Sequence, residues 1–192
     1  MKKTILFILI GAVVIALLII TKITNFSLIN NGKIVEKLEP LSPLNTTVEI
    51  EGEIFSLKNG IAEKEIAPGA TTKNTLRVFG EPLFGDLDND EDLDATLLLQ
   101  NDSGGSGIFY YAVLSINNNE NGYKNTNTLY LGERIAPQTV EIHDGKAVFN
   151  FAERKIDEPM TTRPSIGKSF WVNFDKNTGK ISELVKDPSK NN

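Results

Sequence analysis

The densest group of charged side chains in the sequence is an acidic segment over residues 84–95, FGDLDNDEDLDA. Its aspartates occupy every second position, at Asp86, Asp88, Asp90, Asp92 and Asp94. A hard divalent cation such as Ca²⁺ takes about six to eight oxygen ligands, and closely spaced carboxylates supply them. Without a cation these carboxylates repel one another, so we expect ion binding to be coupled to ordering of the loop.

This loop resembles the calcium-binding Asp-x-(Asp/Asn)-x-Asp-Gly-x-x-Asp segments of FG-GAP repeats and dockerins. Position by position, the resemblance implies a carbonyl ligand at Asp92 and carboxylate ligands at Asp86, Asp88, Asp90 and Asp94. Glu91 stands where the pattern has glycine. Because that turn requires φ > 0, we expect a side chain there to cost about 1 kcal/mol and to weaken or distort the ion site. The alternative is a solvated acidic turn between two strands, where Asp is a common residue.

Composition excludes several other kinds of site. The 192 residues include no cysteine and one histidine, His143, so neither a thiolate metal site nor a histidine-rich one can form within the chain. Twenty Lys and Arg stand against 25 Asp and Glu, a formal net charge of −5. A broad nucleic-acid-binding surface requires clustered basic residues, so we expect no nucleic-acid partner.

Catalytic motifs are incomplete in this sequence. A nucleophile elbow in Gly104–Gly107 would need glycine where Ile108 stands, and Gly167-Lys168-Ser169 lacks the earlier glycine of a phosphate-binding loop. A glycosidase needs two carboxylates about 5–10 Å apart across a cleft, and the abundance of acids leaves that pair unidentified. We therefore predict no catalytic residues and keep a carboxylate-pair hydrolase, acting on glycan or peptide, as the alternative function.

The N-terminus predicts a membrane anchor. Residues 5–20 are 16 consecutive apolar residues, preceded by Lys2 and Lys3 and followed by Thr21 and Lys22. A helix of this length is slightly short of a hydrocarbon core of about 30 Å, but Thr21 and snorkelling lysines extend it. We therefore predict an uncleaved transmembrane helix within residues 1–24.

The charge distribution around this segment predicts its orientation. The two lysines before it favour a cytoplasmic N-terminus, with the C-terminal part outside the cell membrane. Secretion after cleavage of a signal peptide is the alternative, although residues 21–27 (TKITNFS) contain no small-x-small cleavage site.

Beyond the anchor, the pattern predicts a mainly β protein. Residues 25–45 are polar, end with Pro40 and Pro43, and suggest a tether. Residues 46–187 contain short β-prone runs separated by turn residues, which predicts a single antiparallel β domain, either a rolled sheet or an open barrel. Residues 188–192 are expected to form a frayed tail.

Three hairpins are predicted within this domain. Asn59-Gly60 is a two-residue turn signal that should join residues 54–57 to residues 61–66, and Asp144-Gly145 is another that should join 139–143 to 146–152. A longer turn, residues 175–179 (DKNTG), should join 169–174 to 180–185. The runs 95–100 (ATLLLQ) and 108–116 (IFYYAVLSI) are continuously apolar rather than alternating, so we expect central strands buried on both faces.

A wider resemblance covers about residues 47–185. With the acidic loop, the segments Gly104–Tyr111 (GGSGIFYY) and Leu131–Gln138 (LGERIAPQ) resemble a group of small extracytoplasmic bacterial proteins of unknown role, including, distantly, the LppP/LprE-type lipoproteins. The resemblance implies an extracytoplasmic globular domain and no particular activity. From the sequence we expect a membrane-anchored binding or scaffolding domain with an envelope protein or glycan as its partner.

Overall fold

The computed structural model describes residues 41–184 and, nearer the N-terminus, two short paired strands, β1 (Ile29–Asn30) and β2 (Lys33–Ile34). The predicted anchor over residues 5–20 and the predicted tail over 188–192 lie outside the described residues. Among those that are described, no helix is long and apolar enough to cross a membrane.

The strands of residues 41–184 form three antiparallel sheets. The first is a hairpin of β3 (Thr47–Ile50) and β4 (Glu53–Ser56). The second has seven strands: β5 (Ile61–Glu65), β6 (Lys73–Val78), β7 (Leu83–Gly85), β8 (Asp94–Asp102), β9 (Ile108–Asn117), β10 (Tyr123–Asn125) and β11 (Leu129–Glu133). The third has four: β12 (Ala136–His143), β13 (Lys146–Glu153), β14 (Ile166–Asp175) and β15 (Lys180–Glu183).

The long strands β8 and β9 form the centre of the seven-stranded sheet. The strand order is β10-β9-β8-β6-β5, with β11 also paired to β9 and β7 also paired to β8. Nearly every side chain of β8 and β9 is buried, on both faces of the sheet. This confirms the prediction that the two continuously apolar runs are central strands buried on both faces. A strand covered on both faces has no solvent-exposed side, so its sequence need not alternate between apolar and polar residues.

Two hydrophobic clusters cover the two faces of these central strands. On one face Leu98, Ala112 and Leu114 pack with Phe149 and Val172 of the four-stranded sheet. The opposite face carries a second cluster. In it Leu97 and Leu99 of β8 and Val113 of β9 pack with Val48 and Phe55 of the β3–β4 hairpin. The result is three layers, with the seven-stranded sheet in the middle.

The predicted class, mainly β and antiparallel, is confirmed for residues 41–184. The strands stack as separate sheets rather than closing into the single rolled sheet or open barrel that we expected. The physical reason is the double-sided burial of β8 and β9, which requires a covering layer on each face. In this part of the chain the only helical segment is one 3₁₀ turn, Asn119–Asn121.

The Asn59-Gly60 turn forms, but it does not join the two strands that we expected. Both residues have positive φ, 52° and 80°, and the turn is closed by a single bridge between Lys58 and Ile61. Beyond this bridge β4 pairs with β3 through a Glu51-Gly52 turn, while β5 pairs with β6. The predicted hairpin between residues 54–57 and 61–66 is therefore wrong beyond this bridge, because β4 pairs with β3 in a separate sheet that covers the second cluster.

The other two hairpins are confirmed. Asp144 and Gly145 have φ of 49° and 69° and join β12 to β13, with His143 opposite Lys146. The strands β14 and β15 meet through residues 176–179, and the Asp175 carboxylate accepts the N–H of Asn177 at 2.9 Å. These turns depend on the backbone preferences of a few adjacent residues, such as Asp-Gly, so the local sequence predicts them.

A close backbone approach occurs where β7 faces β12. A Cβ built on Gly85 would lie 2.8 Å from Cδ1 of Ile142, nearer than real Cβ contacts allow. Glycine therefore lets the strand entering the acidic loop pass Ile142.

Candidate functional site: the acidic loop

The acidic loop connects two paired strands. Gly85 at the end of β7 lies opposite Asp94 at the start of β8, so residues 86–93 form the closed end of an antiparallel pair. This confirms that the segment is a loop leading directly into a strand. The ladder anchors both ends of the loop and thereby brings side chains from its beginning and its end together.

Three of the five aspartates converge. Asp86, Asp88 and Asp94 each offer a carboxylate oxygen, and these oxygens lie within 4.8 Å of one another. Oxygens that share one Ca²⁺ at about 2.4 Å lie no more than about 4.8 Å apart, so the spacing fits one cation. No ion is present.

Asp94 is fully buried and joins the loop to the neighbouring strands. Its Oδ2 accepts the N–H of Leu87 at 2.9 Å, and its Oδ1 accepts the N–H of Asn117 at 2.8 Å. Burial raises the pKa of Asp94, and the bonds from Asn117 and Leu87 only partly oppose that rise. Asp94 therefore has a structural role even without an ion.

Asp86 folds the loop around its own carboxylate. Its two oxygens accept the backbone N–H groups of Asp90 and Glu91, each at 3.2 Å. Burial alone would raise the pKa of Asp86, but hydrogen bonds from successive backbone N–H groups bring it below the usual value. The curled loop therefore favours an ionised Asp86.

Asp88 is the one of these three carboxylates with a buried oxygen that accepts no hydrogen bond from the protein. Its Oδ1 is buried without a hydrogen-bond partner and forms an ion pair with Nζ of Lys176 at 3.6 Å. Burial, followed by the negative charges of Asp90 and Asp94, raises the pKa of Asp88, whereas Lys176 lowers it. A buried carboxylate oxygen without a hydrogen bond is costly, and a bound cation would relieve that cost.

Asp90, which is exposed, and Asp92, which is half-buried, were also predicted as ligands, but both lie outside the converged group. Asp90 Oδ1 accepts the N–H of Asp92 at 2.9 Å, and Asp92 Oδ2 accepts an N–H of the Asn119 side chain. Both side chains thus stabilise the ion-free loop, Asp90 from within it and Asp92 by joining it to the turn after β9.

Glu91 adopts the backbone conformation expected of the glycine that it replaces. Its φ is 72°, and Asn89 two residues earlier also has positive φ, 58°. Asparagine tolerates this left-handed region better than glutamate does. The loop therefore carries its strain at Glu91, as the sequence predicted.

Two neighbours of the loop were not predicted. Lys176 reaches Asp88 from the β14–β15 hairpin. The Asp144-Gly145 turn also lies beside the loop, since a Cβ on Gly145 would meet the Asp86 carbonyl oxygen at 3.6 Å. Both lie far from the loop in sequence, and no local motif indicates that they pack against it.

Aromatic side chains of the central and four-stranded sheets do not gather into one ligand groove. Tyr110 and Tyr111 are buried on opposite faces of the central sheet. Trp171 lies on β14 with its ring centroid 5.9 Å from that of His143.

No protein-family model matches the chain, and no significant similarity to a curated protein or a solved structure was found.

Proposed function

We propose that the protein is a membrane-anchored, extracytoplasmic β domain with a binding or scaffolding role, in which Ca²⁺ orders the loop of residues 86–94. The observation that carries the ion proposal is the buried Oδ1 of Asp88, which lies beside the carboxylates of Asp86 and Asp94 and accepts no hydrogen bond. Carbonyl groups and water would complete the oxygen shell that Ca²⁺ requires.

The ion proposal is tested by thermal unfolding of the full-length chain with and without Ca²⁺. We expect about 1 mM Ca²⁺ to raise the Tm by several degrees, because a ligand that binds only the folded state stabilises it. Asp88→Asn should abolish the rise, whereas Asp157→Asn, in an exposed loop with positive φ, should retain it. An identical Tm with Ca²⁺ and with a chelator would disprove the ion site.

The location is supported by the 16-residue apolar run and its flanking lysines. Because the chain has no cysteine, single introduced cysteines report on sidedness without background. In intact cells a membrane-impermeant maleimide should label Ser182→Cys, which is exposed on β15, and should leave Lys2→Cys unlabelled. Labelling only after cell lysis would contradict the extracytoplasmic location.

A binding role is favoured over the carboxylate-pair hydrolase. A surface cavity beside the β3–β4 hairpin is lined by two carboxylates, Glu51 and Glu53, together with Tyr111. Those glutamates are two residues apart in one tight turn, whereas glycoside hydrolysis needs carboxylates facing each other across the substrate. The cavity therefore supports ligand binding better than hydrolysis.

A further inference from the structure

The cavity beside the β3–β4 hairpin has a volume of about 390 Å³. Small-molecule sites occupy about 300–1,000 Å³. The Glu51-Gly52 turn borders this cavity, and strands β6, β8 and β9 contribute the other walls. It includes no residue of the acidic loop, so it is a separate candidate site.

Fixed polar side chains line much of this cavity. The Tyr111 hydroxyl donates to Oε1 of Glu51 at 3.0 Å. In a second chain of bonds, Nδ2 of Asn101 donates to Oδ1 of Asn74 at 2.8 Å, and Nδ2 of Asn74 donates to Oε2 of Glu53 at 3.1 Å. Asn101 and Tyr111 are buried on the central strands, and through these bonds they position Asn74 and the exposed Glu51 and Glu53.

Apolar surface adjoins these polar groups. Phe109 of β9 is partly exposed and lies among the lining residues, and Ser103 adds an exposed hydroxyl near the end of β8. Planar amides and carboxylates beside an aromatic ring suit a ligand with hydroxyl groups on its edges and C–H groups on its faces. A sugar ring has this pattern.

The charge of the cavity favours a neutral ligand over an anion. Nζ of Lys64 pairs with Oε1 of Glu53 at 3.0 Å and lies 4.5 Å from the centre of the Phe55 ring, so one of the two carboxylates already has its counter-charge. The other, Glu51, accepts the Tyr111 hydroxyl and keeps its second oxygen as a further acceptor. Sugar hydroxyls donate to such an acceptor, whereas an anionic ligand would be repelled.

We propose that this cavity binds a neutral sugar ring. The proposal rests on the binding role proposed above and names its ligand class. It does not depend on Ca²⁺, because the two sites share no residue.

The test is isothermal titration of the full-length chain in detergent micelles with three neutral trisaccharides: tri-N-acetylchitotriose, cellotriose and maltotriose. We expect at least one to bind with a Kd of about 1 mM or tighter, which titration to about 10 mM would nearly saturate. A charged trisaccharide, trigalacturonic acid, and free lysine test the anionic and cationic alternatives.

Variants locate the site. Tyr111→Phe keeps the ring and removes the hydroxyl, and Ser103→Ala changes an exposed side chain with little effect on folding. Each should weaken sugar binding about fivefold, the effect of losing one hydrogen bond. Glu49→Gln is the matched control, because Glu49 is an exposed acid of the same hairpin outside this cavity, and it should bind like the original chain.

Three outcomes would overturn the proposal: no heat of binding with any neutral trisaccharide, binding that both cavity variants leave unchanged, or binding of lysine or trigalacturonic acid instead. The Tm response to Ca²⁺ is measured separately. A failed sugar titration with a normal Ca²⁺ response would reject only the sugar site.

Discussion

The Asp88 side chain combines a stability cost with a proposed binding role. Its Oδ1 is buried without a hydrogen bond, and nearby negative charges add to the cost of burial. Asp88→Asn removes that charge and keeps the shape, so without Ca²⁺ the variant should unfold at a Tm higher by about 2–4 °C, equivalent to about 1 kcal/mol. Thermal unfolding in a chelator measures this, and a lower Tm would show that Lys176 already compensates Asp88.

At Glu91 the strain exists before any ion binds, because φ is already 72°. Glu91→Gly should therefore raise the free energy of unfolding by up to about 1 kcal/mol, since glycine adopts this conformation without strain. Asn89→Gly is the control at φ 58° and should give a smaller change, because asparagine tolerates that region. Chemical denaturation compares the two, and equal effects would argue against strain specific to Glu91.

Acid should weaken Ca²⁺ binding earlier than at an ordinary carboxylate site. The fold raises the pKa of Asp88 and Asp94, chiefly by burial, so both take up protons above the usual carboxyl value of about 4. Ca²⁺ needs both ionised, and its affinity should fall as the pH drops through the raised values. Titrations at about pH 7.5, 6 and 5 measure this, and an unchanged affinity would contradict it.

The same shifts predict how stability responds to pH when no ion is bound. A raised carboxyl pKa means that the folded state binds a proton more tightly than the unfolded state does. The penalty from Asp88 and Asp94 is therefore full above their raised pKa and disappears as the pH falls towards the ordinary value. Asp86 acts oppositely, because its lowered pKa gives stability that is present above the ordinary value and lost below it.

Among the elements, β7 shows how a loop is positioned by a strand. Gly85→Ala would place a Cβ 2.8 Å from Cδ1 of Ile142, so we expect a loss of about 1–3 kcal/mol in the free energy of unfolding. Gly167→Ala in β14, where a Cβ would meet nothing within 4 Å, should be nearly neutral. Adding Ile142→Val to Gly85→Ala removes the clashing Cδ1 and should recover part of the loss. No recovery in this double-mutant cycle would reject the contact as the cause.

At the scale of the whole molecule, the three-layer arrangement predicts that successive side chains of a central strand, which point to opposite faces, contribute similarly to the free energy of unfolding. Leu97 belongs to the cluster under the β3–β4 hairpin, and Leu98 to the cluster under the four-stranded sheet. Leu97→Ala and Leu98→Ala should each cost about 2–5 kcal/mol, because each empties space in a packed layer. Leu93→Ala, with Leu93 58 % exposed, should cost far less. A small effect at either core position would mean that one face lacks its covering layer.

The sequence alone determined the class of the domain, two of the three predicted hairpins, the two central strands and the position of the acidic loop. All of these depend on neighbouring residues: turn residues with positive φ, and unbroken apolar runs where alternation would mark an exposed face. The positive φ of Glu91 was predictable for the same reason.

Only the tertiary structure decided which strands pair and which side chains meet. The local signal at Asn59-Gly60 favoured one hairpin, but β3 and β4 pair instead, because the second face of the central sheet must be covered. The same stacking brings Lys176 to Asp88 and Glu51 to Tyr111. Contacts between distant segments follow from burial across the whole domain, which no short stretch of sequence encodes, and the candidate sites form where those segments meet.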